Sequence, residues 1–171
     1  MNYEFGLKIS LTKQFNPITV GENMKIQTKY HGEITIEETQ IVHFENGLPG
    51  FFEENEFVIL PLTEEQVYFI LQSVNTPELA FVITNPFLFY KDYEFKLEDG
   101  VIEKLGIKQA EDVQIFNILT IQDPFEKTTI NLQAPIVINI QNKRAKQVVL
   151  NHESYTTREP LFQKSQVKEK G

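Results

Sequence analysis

The feature that most constrains this chain is punctuation. From Met24 to about residue 150, apolar runs are short and each is cut by a turn-forming pair before it reaches helical length. The breaks are His31-Gly32, Asn46-Gly47, Pro49-Gly50, Asn75-Thr76-Pro77, Asn85-Pro86 and Asp123-Pro124. Between them the spacing predicts strands at Lys25–Tyr30, Glu33–Ile36, Gln40–Phe44, Glu56–Pro61, Val67–Ser73, Leu79–Thr84, Val113–Ile121, Thr128–Leu132, Pro135–Ile140 and Lys146–Leu150. Short, evenly spaced strands broken by Gly, Pro and Asn fold as an antiparallel barrel or sandwich. The expected class is therefore mainly β: a single-domain, antiparallel, β-barrel-like fold with one short helix near 98–105. That helix, Glu98–Leu105, has acids at its start, Val101, Ile102 and Leu105 on one face, and Gly106 at its end, as helix-end electrostatics and capping favour.

The ends read differently. Residues 1–23 begin with Tyr3, Phe5, Leu7, Ile9 and Leu11 at period two, a strand-like pattern, and then pass through Asn16-Pro17 and Gly21-Glu22-Asn23, which read as turn. They form an N-terminal extension of unassigned role, with Met24 as an alternative start. Residues 24–162 form the folded domain, and 163–171 a disordered basic tail.

Residue chemistry excludes more than it proposes. The absence of cysteine removes disulfides, thiol nucleophiles and Cys-ligated zinc, and fits a reducing, cytoplasmic setting. No apolar run approaches the roughly 18 residues of a membrane helix. The three histidines, His31, His43 and His152, form no HExxH or other ligand spacing and read as turn or surface residues. No phosphate loop or nucleophile elbow occurs, so no catalytic, cofactor or metal residue is assigned. The net charge is −8, with +4 on residues 141–171, leaving about −12 on 1–140. A body this acidic repels phosphate backbones and favours basic protein partners.

Three segments have more character. In His43–Phe51, Asn46-Gly47 and Pro49-Gly50 enclose Leu48 and lead into Phe51-Phe52. This is either a plug for one barrel end or a stiff protein-binding loop. In Asn85–Tyr93, Phe87, Phe89 and Tyr90 do not all face one way, which leaves part of the aromatic group exposed. In Asp123–Ile136, Pro135 breaks a strand, and Gln133–Pro135 read as an ordinary edge or bulge, or as an edge open to an added strand.

Together, Phe44-Glu45-Asn46-Gly47-Leu48-Pro49-Gly50-Phe51, Asn85-Pro86-Phe87 and Asn131-Leu132-Gln133-Ala134-Pro135-Ile136-Val137-Ile138-Asn139 resemble the FliW family of flagellar assembly factors, over roughly Met24–Phe162. The resemblance implies a β-barrel-like fold and a non-enzymatic role. FliW-type proteins bind the translational repressor CsrA, relieving repression of flagellin messenger RNA, and bind flagellin itself in a partner-switching feedback loop. It implies no direct nucleic-acid binding, no membrane association and no cofactor. On the same basis Leu48, Phe51, Phe87 and Phe89 are candidate apolar anchors, with Glu45, Glu53 and Glu54 as rim charge. The competing readings are a flagellin-specific chaperone without a translational role, and a small ligand-binding or hydrolase barrel, which requires a deep polar cavity.

Overall fold

A computed structural model describes residues 21–163. The period-two segment Tyr3–Leu11 and the tail from residue 164 lie outside the described residues. Among the described residues the strands are β1 (Asn23–Gln27), β2 (Glu33–Glu37), β3 (Val42–Phe44), β4 (Glu56–Pro61), β5 (Tyr68–Ser73), β6 (Ala80–Thr84), β7 (Val113–Thr120), β8 (Thr129–Ile130), β9 (Ile136–Asn139), β10 (Arg144–Gln147) and β11 (Glu159–Pro160), with one α-helix, α1 (Asp99–Leu105), between β6 and β7.

Strands β3 to β7 form an antiparallel meander, β7 pairs with β9, β9 with β10, and β10 returns to β3. The ring closes with 7 strands. All its pairings are antiparallel except the last, where Arg144 lies opposite His43 and Ala145 opposite Phe44 in parallel register. The expected antiparallel, barrel-like fold is therefore present with one parallel seam, for a reason of parity. Strands that alternate up and down around a ring of odd number must meet once pointing the same way.

Alternation then decides what each strand buries. Val42, Phe44, Phe57, Leu71, Ile83, Phe116, Ile136, Ile138 and Ala145 fill the interior. Edge-on aromatic pairs pack across the interior: Phe44 and Phe57, on neighbouring strands, have ring centroids 5.3 Å apart, and Phe69 and Phe116, on strands flanking β6, 5.4 Å. The deep polar cavity required by a ligand-binding or hydrolase barrel is replaced by packed side chains. Among the described residues no cluster of metal-ligating side chains occurs.

The outward faces are also covered, in three places. The β1–β2 hairpin is a separate two-stranded sheet whose Ile26 and Ile36 cover Ile41, Val58 and Val74. Gln72, fully buried on β5, tethers it by accepting the Lys29 amide at 3.0 Å. Helix α1 lays Val101 and Leu105 on Val137 of β9. Gly106 ends it in the left-handed region at φ +64, and Asn139 donates to the carbonyls of Leu105 (2.8 Å) and Gly106 (3.1 Å). The third cover is aromatic: Tyr93, Leu119, Ile130, Leu132 and Leu161 pack beyond β7, where β8 and β11 pair.

Where strand limits shift from the sequence expectation, most move inward by one to three residues because turns take the ends, while β1 and β10 begin two residues earlier and β2 ends one later. Asn23 is a correction of another kind. It lies in β1 and pairs with Glu37 of β2, so Gly21-Glu22-Asn23 is not a turn throughout. Strand β11 was not foreseen, since Glu159-Pro160 has no apolar alternation and forms only against β8.

Two outcomes follow from this packing. Phe57→Ala, which empties a fully buried site between Phe44 and Phe81, lowers the unfolding free energy by about 3–5 kcal/mol in urea titrations. Tyr93 is buried, and its hydroxyl donates to the Leu132 carbonyl at 2.7 Å. Desolvation pushes its pKa up from 10.0 to about 12, opposed by a hydrogen bond from Asn117 and reinforced by Tyr155. The unfolded phenol ionises first, so this contribution is complete below pH 10.0 and is lost as pH rises toward about 12. Tyr93→Phe therefore flattens the alkaline fall in melting temperature over that window; an unchanged slope would assign the fall to other groups.

Candidate protein-docking surface

The turn-rich segment between β3 and β4 is held from both sides. The Gly47 amide donates to the Phe44 carbonyl (3.0 Å), Leu48 and Phe51 exchange amide–carbonyl bonds (3.2 and 2.7 Å), and Glu54 donates to Phe51 (3.1 Å). Pro49 then Gly50, the latter at φ +86, are the residues a type II turn demands at its centre. Asn55 clamps the base, its side-chain amide donating to the carbonyls of Phe44 (2.8 Å) and Glu45 (2.9 Å). Gly47 has two reasons to lack a side chain: its φ is +65, and a Cβ there would lie 2.4 Å from the Phe51 carbonyl oxygen. A loop fixed this way loses little further entropy on contact.

What the loop presents differs from expectation. Leu48 is 1% exposed and belongs to the barrel core, so the plug reading holds for it and it is not a surface anchor. Phe51 is half out at 41%, its ring edge against Phe81 at 5.7 Å. Phe52, not among the sequence candidates, is 71% exposed. Glu45 and Glu53 face solvent. Glu54 turns inward and accepts hydrogen bonds from Ser73 (2.7 Å) and Thr76, fastening the β5–β6 turn, and so is not free rim charge.

One flank of the loop borders an open groove of about 450 Å³, with Glu45, Pro49 and Phe52 on one side and Lys104, Arg144 and Lys146 on the other. The three cations come from α1 and β10, far from the loop in sequence, and no local pattern announces that they converge.

The second aromatic group lies at the opposite end of β6. Phe51 reaches Phe81 near the start of that strand, whereas Phe87 follows its end, so the candidates do not form one surface. Pro86–Leu88 is a 3₁₀ turn capped by the Asn85 side chain, which accepts the Phe87 amide at 2.9 Å. It exposes Phe87 (42%) and Leu88 (56%). Phe89 instead packs between Tyr68 and Phe162, which withdraws it as an anchor and makes it part of the aromatic cover. Phe87 borders a second, more apolar groove of about 620 Å³ with Tyr93, Leu97, Ile102 and Ile115.

Gln133–Pro135 are not an open edge. Asn131 accepts the amides of Gln133 and Ala134 (3.1 and 3.0 Å), while Gln147, Val148 and Leu150 donate to the carbonyls of Ala134, Pro135 and Gln133. The segment is a satisfied connection between β8 and β9.

The two glycines of the loop separate strain from collision. Gly50→Ala, with open space around its Cβ, costs about 1–2 kcal/mol from backbone conformation alone. Gly47→Ala adds the collision with backbone and costs more than about 2 kcal/mol, read as the difference between the two denaturation curves.

Comparison with known proteins supplies the context for this geometry. The FliW protein family model matches residues 25–161. Flagellar assembly factor FliW of Bacillus licheniformis is 54% identical over 138 residues, covering 81% of this chain and 96% of the relative. That of Bacillus subtilis is 52% identical over the same length and coverage, and that of Geobacillus thermodenitrificans 53% over 139 residues. A crystal structure of the flagellar assembly factor FliW superimposes with a TM-score of 0.78 at 50% identity, covering 82% of this chain and 99% of that one. With family, relatives and fold in agreement from the first strand of the hairpin to the last strand of the aromatic cover, this chain belongs to the FliW family.

Proposed function

We propose that this protein is a non-catalytic flagellar assembly factor that acts in the cytoplasm by binding two protein partners in turn. One is the translational repressor CsrA, whose capture relieves repression of flagellin messenger RNA. The other is flagellin, whose accumulation draws the factor away and restores repression. The observation that carries a docking role is the pinned Phe44–Asn55 loop, which holds Phe51 and Phe52 toward solvent with little backbone left to order on contact. A barrel filled by its own side chains supports binding over turnover. The family relatives bear the name flagellar assembly factor, which describes assembly rather than chemistry. The acidic body supports CsrA in particular, because an RNA-binding repressor presents basic surface and complementary charge speeds encounter. Capture from beside the RNA-binding surface is the form we favour.

Pull-down with purified components tests the scheme. Immobilised protein retains CsrA at micromolar concentrations without flagellin, and added flagellin releases it. Retention of flagellin alone would instead establish a flagellin chaperone without a translational role. Glu45→Lys with Glu53→Lys slows CsrA association several-fold at low salt and little at high salt, in stopped-flow or surface-binding kinetics. Unchanged rates would place the interface away from this loop.

A further inference from the structure

The groove beside the Phe44–Asn55 loop has the wrong sign for the body that carries it. The chain is strongly acidic, yet Lys104, Arg144 and Lys146 form one wall, and among the described residues none of them is ion-paired. Arg144 spends one N–H on the Lys104 carbonyl (3.3 Å), which ties it to the end of α1. Cations near a helix C-terminus are favoured by the helix dipole, and that accounts in part for Lys104 and Arg144. It does not account for Lys146, two residues further along β10. Nor does it account for the position of all three opposite Phe52, the most exposed large apolar side chain described.

Backbone geometry adds a third feature. Strand β10 pairs with β3 only through Arg144 and Ala145, then runs on through Lys146 and Gln147 while the chain of β3 turns away at Glu45. Along the groove floor, therefore, lies a stretch of strand with no neighbour from β3. An extended segment fits beside such a stretch, with alternate side chains reaching either wall. Three cations on one wall and a phenyl ring with a proline on the other define its chemistry: carboxylates at alternate positions and an aromatic or aliphatic residue facing Phe52 and Pro49.

We propose that this groove is a docking site for an extended acidic segment of a partner protein, with Lys104, Arg144 and Lys146 meeting its carboxylates and Phe52 its apolar residue. The site shares Glu45 and Phe52 with the loop assigned above to a basic partner but does not rest on that assignment. Nucleic acid is the other polyanion to weigh. Three cations facing Glu45 across the groove, on a body of net charge −8, give too short a positive track for tight phosphate binding.

The test uses the full chain and a fluorescein-labelled peptide, Asp-Glu-Phe-Asp-Glu-Leu, followed by fluorescence anisotropy. The peptide binds at micromolar concentrations and weakens about tenfold from low to high salt. Its Lys-for-acid counterpart does not bind. Arg144→Glu with Lys146→Glu weakens binding at least about tenfold, and Phe52→Ala by about threefold. Glu45→Lys, at an exposed side chain on the groove rim, tightens it about threefold, so the inference stays testable even if the double variant fails to fold. Absence of peptide binding up to millimolar, or binding indifferent to both Glu45→Lys and the double variant, overturns the proposal. So does tighter binding of a single-stranded RNA of equal length. Because CsrA and flagellin are absent from the assay, its failure is separable from failure of the pull-down.

Discussion

An odd number of strands closes this barrel, and much of the molecule follows from that parity. The parallel seam between β3 and β10 is where the ring must reconcile its direction. Parallel neighbours carry their chains out at the same rim. The loop after β3 and the strand end of β10 therefore emerge side by side, and their divergence opens the cleft between Phe52 and Lys146. With an even, fully antiparallel ring those two exits would stand at opposite ends of the barrel. The surface feature with most chemical character is thus a product of closure, not an addition to it.

Closure is held by apolar packing inside and by a few buried amides outside. The interior Phe, Ile and Leu side chains each contribute on the order of 2–3 kcal/mol by leaving water. Gln72 and Asn139 sit on outward faces where a charged or apolar residue would fail. Each is fully enclosed and each satisfies backbone groups that no strand reaches: the hairpin amide for Gln72, the last helical carbonyls for Asn139. Replacing such a group leaves the partner unsatisfied, which costs more than the bond contributes. The covers are consequently attached at defined points.

The barrel was legible because period-two patterning and turn dipeptides are local signals, and the same is true of α1, whose acids and Gly106 mark its ends. Glu56–Pro61 matches β4 to the residue. The parallel seam was hidden, since direction at closure depends on a count of strands in space and not on any one segment. Side-chain fate was less legible than backbone. Leu48 lies between two turn pairs that suggest display, yet the turns fold it into the core. Glu54 is one of two adjacent acids, and only its position under Ser73 and Thr76 separates it from Glu53. Lys104, Arg144 and Lys146 are unremarkable cations in the chain and become a wall only when α1 and β10 meet.

The β1–β2 hairpin has a consequence of its own. It shares no ladder with the barrel and is joined to it by one apolar cluster, the Gln72 contact and a hydrogen bond between the His31 ring and the Pro61 carbonyl. It can therefore lift away with every barrel strand pairing intact, which gives the protein two tiers of stability: a shallow one for the hairpin and a deep one for the closed ring. Lifting bares Ile41, Val58 and Val74, an oily strip that the resting molecule conceals. At elevated temperature, then, the first exposed hydrophobic surface belongs to a barrel that has not itself begun to open.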